Sequence, residues 1–316
     1  MKKLILIAIT CTLLISCNHS KDNAEIRKIN IPTAATTGAL YPLGSSMAEL
    51  WNKEIEDISV TAQASNGGID NLNLLQKGEA QITMANANIA YDSYHGKGLF
   101  EGRENKNLRV LAALYLNPNQ VVVKKEISDL KDLKGKSFAS GAPGSTTESE
   151  TAIHLKAAGI AYPEDLNIQF VGFTEAIDLM RNKQLDGAWI MAGVPTAAVT
   201  EIITTSDAKI LPISDEIISE LKDKYPWYAE YIIPAGTYKD QGKDIKTTAV
   251  KLLMLTDAEM SDELVYSLTK SFWENIEDLK LSNKALKYIK VEEAIDDIAG
   301  LPLHSGAERY YDEIIK

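Results

Sequence analysis

Four short loops carry the residue types best suited to holding an oxyanion: Thr36-Thr37-Gly38, Gly67-Gly68, Ser145-Thr146-Thr147 and Gly193-Val194-Pro195-Thr196. Glycine admits close backbone approach, and a Ser or Thr hydroxyl adds a donor with little bulk. The first N–H groups of a helix are unpaired and form the positive end of its dipole. Any one such loop is also an ordinary cap or turn, but four of them in two halves of one chain point to a shared ligand. The expectation is sharpest for Gly141 to Thr147, where Gly144 allows approach and Ser145 and Thr147 offer donors to a carboxylate. Tyr41 and Asn86 complete the candidate ligand contacts.

Bond-breaking chemistry has no comparable constellation. Gly135-Lys136-Ser137 ends like a phosphate-binding P-loop, but Leu130 stands where that motif needs glycine. Neither a Gly-x-Ser-x-Gly elbow nor a His-Glu-x-x-His pair occurs. His19, His95, His154 and His304 are scattered and read as surface or packing residues. An exported enzyme would have to use a carboxylate pair such as Asp186 with Glu148 or Glu175. The expectation is therefore a binding protein, not an enzyme, with no cofactor and no metal.

The elements that position these loops alternate between apolar β-like runs and helical patterns, the mark of parallel α/β architecture. Strands are expected at Arg27 to Ile31, Val60 to Ala64 and Ile82 to Ala85, with helices at Pro42 to Lys53 and Ile69 to Lys77. Leu108 to Leu116 runs through Asn117-Pro118-Asn119 into Val121 to Val123 and reads as a passage to a second lobe. There a new series begins: strands at Lys136 to Ser140, Ile168 to Val171 and Ala188 to Ala192, helices at Glu148 to Ala158 and Glu175 to Asn182. Tyr231 to Pro234 reads as the return, followed by a strand at Thr247 to Leu255 and a helix from Asp262 to Leu279 capped by Ser261. The apolar stripe Leu264, Leu268 and Phe272 of that helix reads as core. In open α/β sheets the ligand crevice lies beyond the carboxyl ends of the strands, where the four loops converge.

At the N-terminus, Lys2 and Lys3 precede the apolar run Leu4 to Ile15, the length of a signal-peptide core and too short to span a bilayer. Leu14-Ile15-Ser16-Cys17 resembles the lipobox of bacterial lipoproteins, so residues 1–16 are expected to leave and Cys17 to carry lipid. Cys11 would go with the leader, and residues 17–25 form a tether. The lobes are expected at 26–117 with 235–316, and at 118–234. The formal charge is −11, and loss of Lys2 and Lys3 takes it to −13, which argues against a nucleic-acid partner. A pocket's local field can still favour an anion where helix N-termini face it.

Beyond these patterns, the chain resembles the TAXI-type solute receptors of tripartite ATP-independent periplasmic (TRAP) transporters. The resemblance rests on Tyr41-Pro42-Leu43-Gly44, Asn71 to Ala80, Gly141 to Ser145, Ala192 to Thr196, Gly236-Thr237-Tyr238 and the string Leu301 to Tyr311. It implies two α/β lobes closing on one ligand in the manner of periplasmic binding proteins. It also implies handover to an ion-driven membrane permease, and a carboxylate ligand of the glutamate, glutamine or 2-oxoglutarate class. Ala34, Ala35, Ala39, Gly68, Ala87 and Thr146 depart from that family's usual residues, which alters the hydrogen-bond inventory. A receptor for an ATP-driven importer, or a ligand sensor for a membrane kinase, would share the architecture.

Overall fold

The computed structural model describes residues 26–315. The expected leader, lipid-bearing Cys17 and tether lie outside them. The chain forms two α/β lobes whose sheets share long strands. The first series is β1 (Arg27–Pro32), α1 (Leu40–Glu54), β2 (Ile58–Gln63), α2 (Gly68–Gln76), β3 (Ile82–Asn86) and α3 (Ala87–His95). The 17-residue β4 (Leu108–Lys124) then leads to the second series. That series is β5 (Ser137–Ala139), α4 (Thr146–Ala157), β6 (Asn167–Gln169), α5 (Phe173–Arg181), β7 (Gly187–Met191), α6 (Ala197–Thr205), β8 (Ala208–Leu211) and α7 (Asp215–Lys224). The chain finishes with β9 (Tyr228–Ile233), β10 (Ile245–Asp257), α8 (Asp262–Glu274), α9 (Ile276–Ser282) and α10 (Ser305–Ile314).

The first half of β4 pairs with β10, and its residues from Asn119 onward pair with β7 and β8. The return passage was expected at Tyr231 to Pro234. Tyr231 to Ile233 end β9, an edge strand paired with Ile245 to Val250, and β10 itself runs on to pair with β4 and β3. Pro234 ends a strand there because it lacks the N–H that a further ladder bond needs.

Continuous apolar strand runs show why both sheets are covered on two faces. Along β10, Leu252 and Met254 enter one core while Leu253 and Leu255 enter another; along β4, Val122 and its neighbours Val121 and Val123 divide likewise in the second lobe. Successive strand side chains point to opposite faces, so an unbroken apolar run demands helices on both. Leu268 and Phe272 of α8 are fully buried in the first lobe. The single helix expected over Asp262 to Leu279 is two: Ser261 caps α8 by accepting from the Leu264 N–H, but the helix breaks at Asn275, whose side-chain amide donates to the Ser271 carbonyl.

Candidate functional site

Between the lobes lies a cavity of about 210 Å³. The first residues of four helices line it: Leu40 of α1, Gly68 of α2, Thr146 of α4 and Phe173 of α5. Asn86, the residue immediately before α3, lines it as well. No lining residue is charged. Five positive helix ends thus face a space that holds no fixed counter-charge of its own.

The lobes touch on either side of this space. On one side the Asp70 N–H of α2 donates across to the Gly144 carbonyl at 3.1 Å. On the other the Ala198 N–H of α6 donates to the Thr37 carbonyl at 3.1 Å, beside the Thr196 hydroxyl at 3.3 Å. Each contact spends an otherwise unpaired N–H at a helix start on the opposite lobe.

The structure divides the expected site residues. Gly38, Gly67, Gly68, Asn86, Ser145, Thr146 and Thr147 line the cavity. Thr36 is exposed, and Thr37 and Thr196 sit at the lobe contact. Tyr41 is half-buried on α1 and does not line the cavity. Gly193, Val194 and Pro195 also lie off it. A Cβ on Gly193 would come within 2.6 Å of Ala285 Cβ and 2.9 Å of the Tyr115 ring, so this glycine serves packing. The Tyr238 hydroxyl accepts from the Thr196 N–H at 3.0 Å and donates to Gln120 Oε1 at 2.6 Å, which fastens the 193–196 loop.

Ser145 is less free than the sequence implies. Its oxygen accepts from the Glu148 N–H at 3.1 Å as the helix cap, and Glu148 returns a carboxylate oxygen to the Gly144 N–H at 3.2 Å. Thr146 and Thr147 are 7% and 5% exposed, and among the described residues their hydroxyls have no side-chain or backbone partner. Gly67, at φ +106°, and Gly68 bring the start of α2 against this pair; a Cβ on Gly68 would collide with the Thr146 hydroxyl.

Other lining residues were not legible as site residues. Leu40, Met84, Phe173 and Met191 supply apolar wall, and Asn117 sits beside Asn86 with its Nδ2 donating to Asn86 Oδ1 at 3.2 Å. Asn117 Oδ1 is buried without a partner. Asn71 acts one layer behind: its amide nitrogen donates to the Thr33 and Met84 carbonyls at 2.8 and 3.1 Å, and its oxygen accepts from Ser65 at 2.6 Å. One buried amide thereby ties three cavity-forming segments together.

Behind the cavity, α4 carries a second polar group. Glu150, fully buried, accepts from Asn88 Nδ2 at 2.9 Å, Asn119 Nδ2 at 3.0 Å and the Tyr228 hydroxyl at 3.0 Å. Burial raises its carboxyl to about 7 against the pull of those three donors. His154 is held neutral, since burial lowers it to about 4. Its Nδ1 lies 2.8 Å from the Glu150 carbonyl and so carries the proton, leaving Nε2 to accept from Thr248 at 2.7 Å. Trp189 Nε1 donates to Asn119 Oδ1 at 2.7 Å. Asn119 lies on β4 and Thr248 on β10, the two strands that pass between lobes, and Asn88 belongs to the first lobe.

The carboxylates considered for catalysis are placed otherwise. Asp186 pairs with Lys124 at 2.7 Å and accepts from the Ser137 N–H. His304 caps α10, accepting from the Gly306 N–H. Among the described residues no group of three or more His, Cys, Asp or Glu is placed to hold a metal, and no helix is long and apolar enough to cross a membrane.

A family model described as the NMT1-like family matches residues 31–314. The chain belongs to the NMT1-like family. Its fold is similar to that of the periplasmic binding protein BugD, with a TM-score of 0.54 and 14% identity over 82% of this chain and 87% of that one. The alkanesulfonate-binding protein SsuA from Xanthomonas axonopodis pv. citri, solved with MOPS, gives 0.50 at 15% identity over 92% and 84%. A structure from work on glutathione import in Streptococcus mutans via GshT and the cystine ABC importer TcyBC gives 0.50 at 15% over 82% and 94%. These likenesses place the fold among periplasmic-binding-protein-like structures.

Proposed function

We propose that this NMT1-like protein is an extracytoplasmic solute-binding receptor that closes two lobes over a small oxyanion-bearing ligand and delivers it to a membrane permease. The observation that carries this reading is the uncharged inter-lobe cavity, faced by five helix N-termini and flanked by direct bonds between lobes. The lobes are residues 26–117 with about 250–315, and 118 to about 249, hinged where β4 and β10 pass at Asn117–Asn119 and Thr248–Val250. On this reading the protein acts by binding, and Asp186 is a structural residue held by Lys124 and the Ser137 N–H. Cys17 is assigned as the acylated anchor on its lipobox; Cys17→Ser should move the protein from the detergent to the aqueous phase.

The permease assigned is an ATP-driven importer, the class named for one structural neighbour. The second reading is a TRAP permease, favoured by the resemblance carried in Leu301 to Tyr311. Uptake assays separate them, because ATP depletion with ion gradients held stops the first and spares the second. A thermal-shift screen of carboxylates, sulfonates, amino acids and sugars tests the receptor reading itself, since a ligand of the folded state raises the melting temperature. No shift across the screen would contradict it.

A further inference from the structure

We infer that the ligand is an organic monoanion: one carboxylate or sulfonate seated at the start of α4, joined to a neutral and largely apolar body, with neither an ammonium group nor a second acid. This rests on the receptor reading above and names its substrate class. It departs from the glutamate, glutamine and 2-oxoglutarate class that the family resemblance implies.

The argument is a charge inventory. No acidic side chain lines the cavity, so an α-ammonium would leave water without a counter-charge, a strongly unfavourable transfer. An anion meets the reverse situation. The hydroxyls of Thr146 and Thr147 are unpartnered on residues more than nine-tenths buried, and the N–H groups at the start of α4 and at Gly68 stand beside them. Helix length is adequate for the dipole to count, at 12 residues in α4 and 9 in α2.

A second acid finds no partner. The charged groups in the first turns of these two helices are themselves carboxylates: Asp70 accepts from the Asn66 N–H at 3.2 Å and Glu148 from the Gly144 N–H at 3.2 Å. They offset part of the two dipoles and repel further negative charge. Leu40, Met84, Phe173 and Met191 are left to cover the rest of the ligand, which must be apolar to gain from them. The unpaired Asn117 Oδ1 adds one demand, for a neutral donor such as a hydroxyl.

Matched compounds test this directly by calorimetry: 4-methylpentanoate and 3-methylbutane-1-sulfonate against leucine, 3-methylglutarate and 4-methylpentanamide. The monoanions should bind, and the zwitterion, the dianion and the neutral amide should each be weaker by about a hundredfold. Leucine or 3-methylglutarate binding as tightly as the monoanions would overturn the charge inventory and leave the receptor reading intact. Equal binding of the amide would remove the oxyanion from the account. If none of the five binds and the wider screen raises no melting temperature, the receptor reading falls with it.

Discussion

Thr146 and Glu150 stand about one turn apart on α4, yet they belong to opposite kinds of polar environment. At the helix start, the Thr146 and Thr147 hydroxyls line the cavity without a partner among the described residues. One turn on, Glu150, Asn88, Asn119, Tyr228, His154, Thr248 and Trp189 are joined in one hydrogen-bonded network without a cation, in which Asn88 Oδ1 is buried without a partner. A region whose donors are free at a cavity wall is fitted to a ligand, whereas one whose groups are mostly bonded to each other is fitted to fix geometry, here at strands β4 and β10. The two should therefore respond differently to the same kind of substitution.

The largest effect should come from Asn119→Ala. It strips Glu150 of a donor and leaves Trp189 Nε1 and Thr248 short of a partner, so urea denaturation should show a loss of about 3–4 kcal/mol. Thr147→Val should instead leave stability within about 1 kcal/mol while weakening ligand binding roughly tenfold or more, because a hydrogen bond to a charged group contributes about 1.5–3 kcal/mol. Reversal of this pattern would erase the distinction between the regions. Ser145→Ala falls between them. Loss of the cap costs about 1 kcal/mol, and affinity should drop less than in Thr147→Val because the Ser145 oxygen is already engaged by Glu148.

The smallest effect is in pH dependence. Glu150 has its folded pKa raised to about 7 from the ordinary 4.5, so the folded state holds the extra proton and stability falls as pH rises from about 4.5 to 7. His154 is depressed to about 4 from 6.5, so its contribution is present above 6.5 and lost as pH falls towards 4. The two slopes oppose each other across most of this window, and wild-type stability should vary little there. Glu150→Gln removes only the first slope, so its stability relative to wild type should climb between pH 4.5 and 7 and then level off. A pH-independent difference would show that the carboxyl titrates normally.

Much of this arrangement was legible in the residues. Apolar alternation placed β1, β2, β3, α1, α2, α4 and α5, and Ser261 capped its helix as its type predicts. α3 was not legible, because it begins directly after Asn86 with no loop to mark it. That Tyr231 to Ile233 pair in an edge hairpin was not legible, because an apolar run ending in proline is the same whether it crosses lobes or lies at a sheet edge. In the cavity, the small and hydroxyl residues announced themselves. Leu40, Met84, Phe173 and Met191 did not, since an apolar residue at a strand end or helix start reads as core until the other lobe is in place. Thr37 and Thr196, read from the sequence as ligand contacts, meet each other across the cleft, a pairing that residue type alone does not reveal.

The central claim, capture by closure around this cavity, is tested most directly by distance measurement between spin labels at Lys77→Cys and Lys156→Cys. Both positions are exposed, one at the end of α2 and one in the last turn of α4. Residues 18–316 contain no cysteine, so protein lacking residues 1–17 carries label only where it is introduced. With saturating 4-methylpentanoate, or the best ligand of the screen, the account predicts a single narrow distance, replacing a longer and broader distribution in the free protein. The same distribution with and without ligand, at calorimetrically proven saturation, would contradict it.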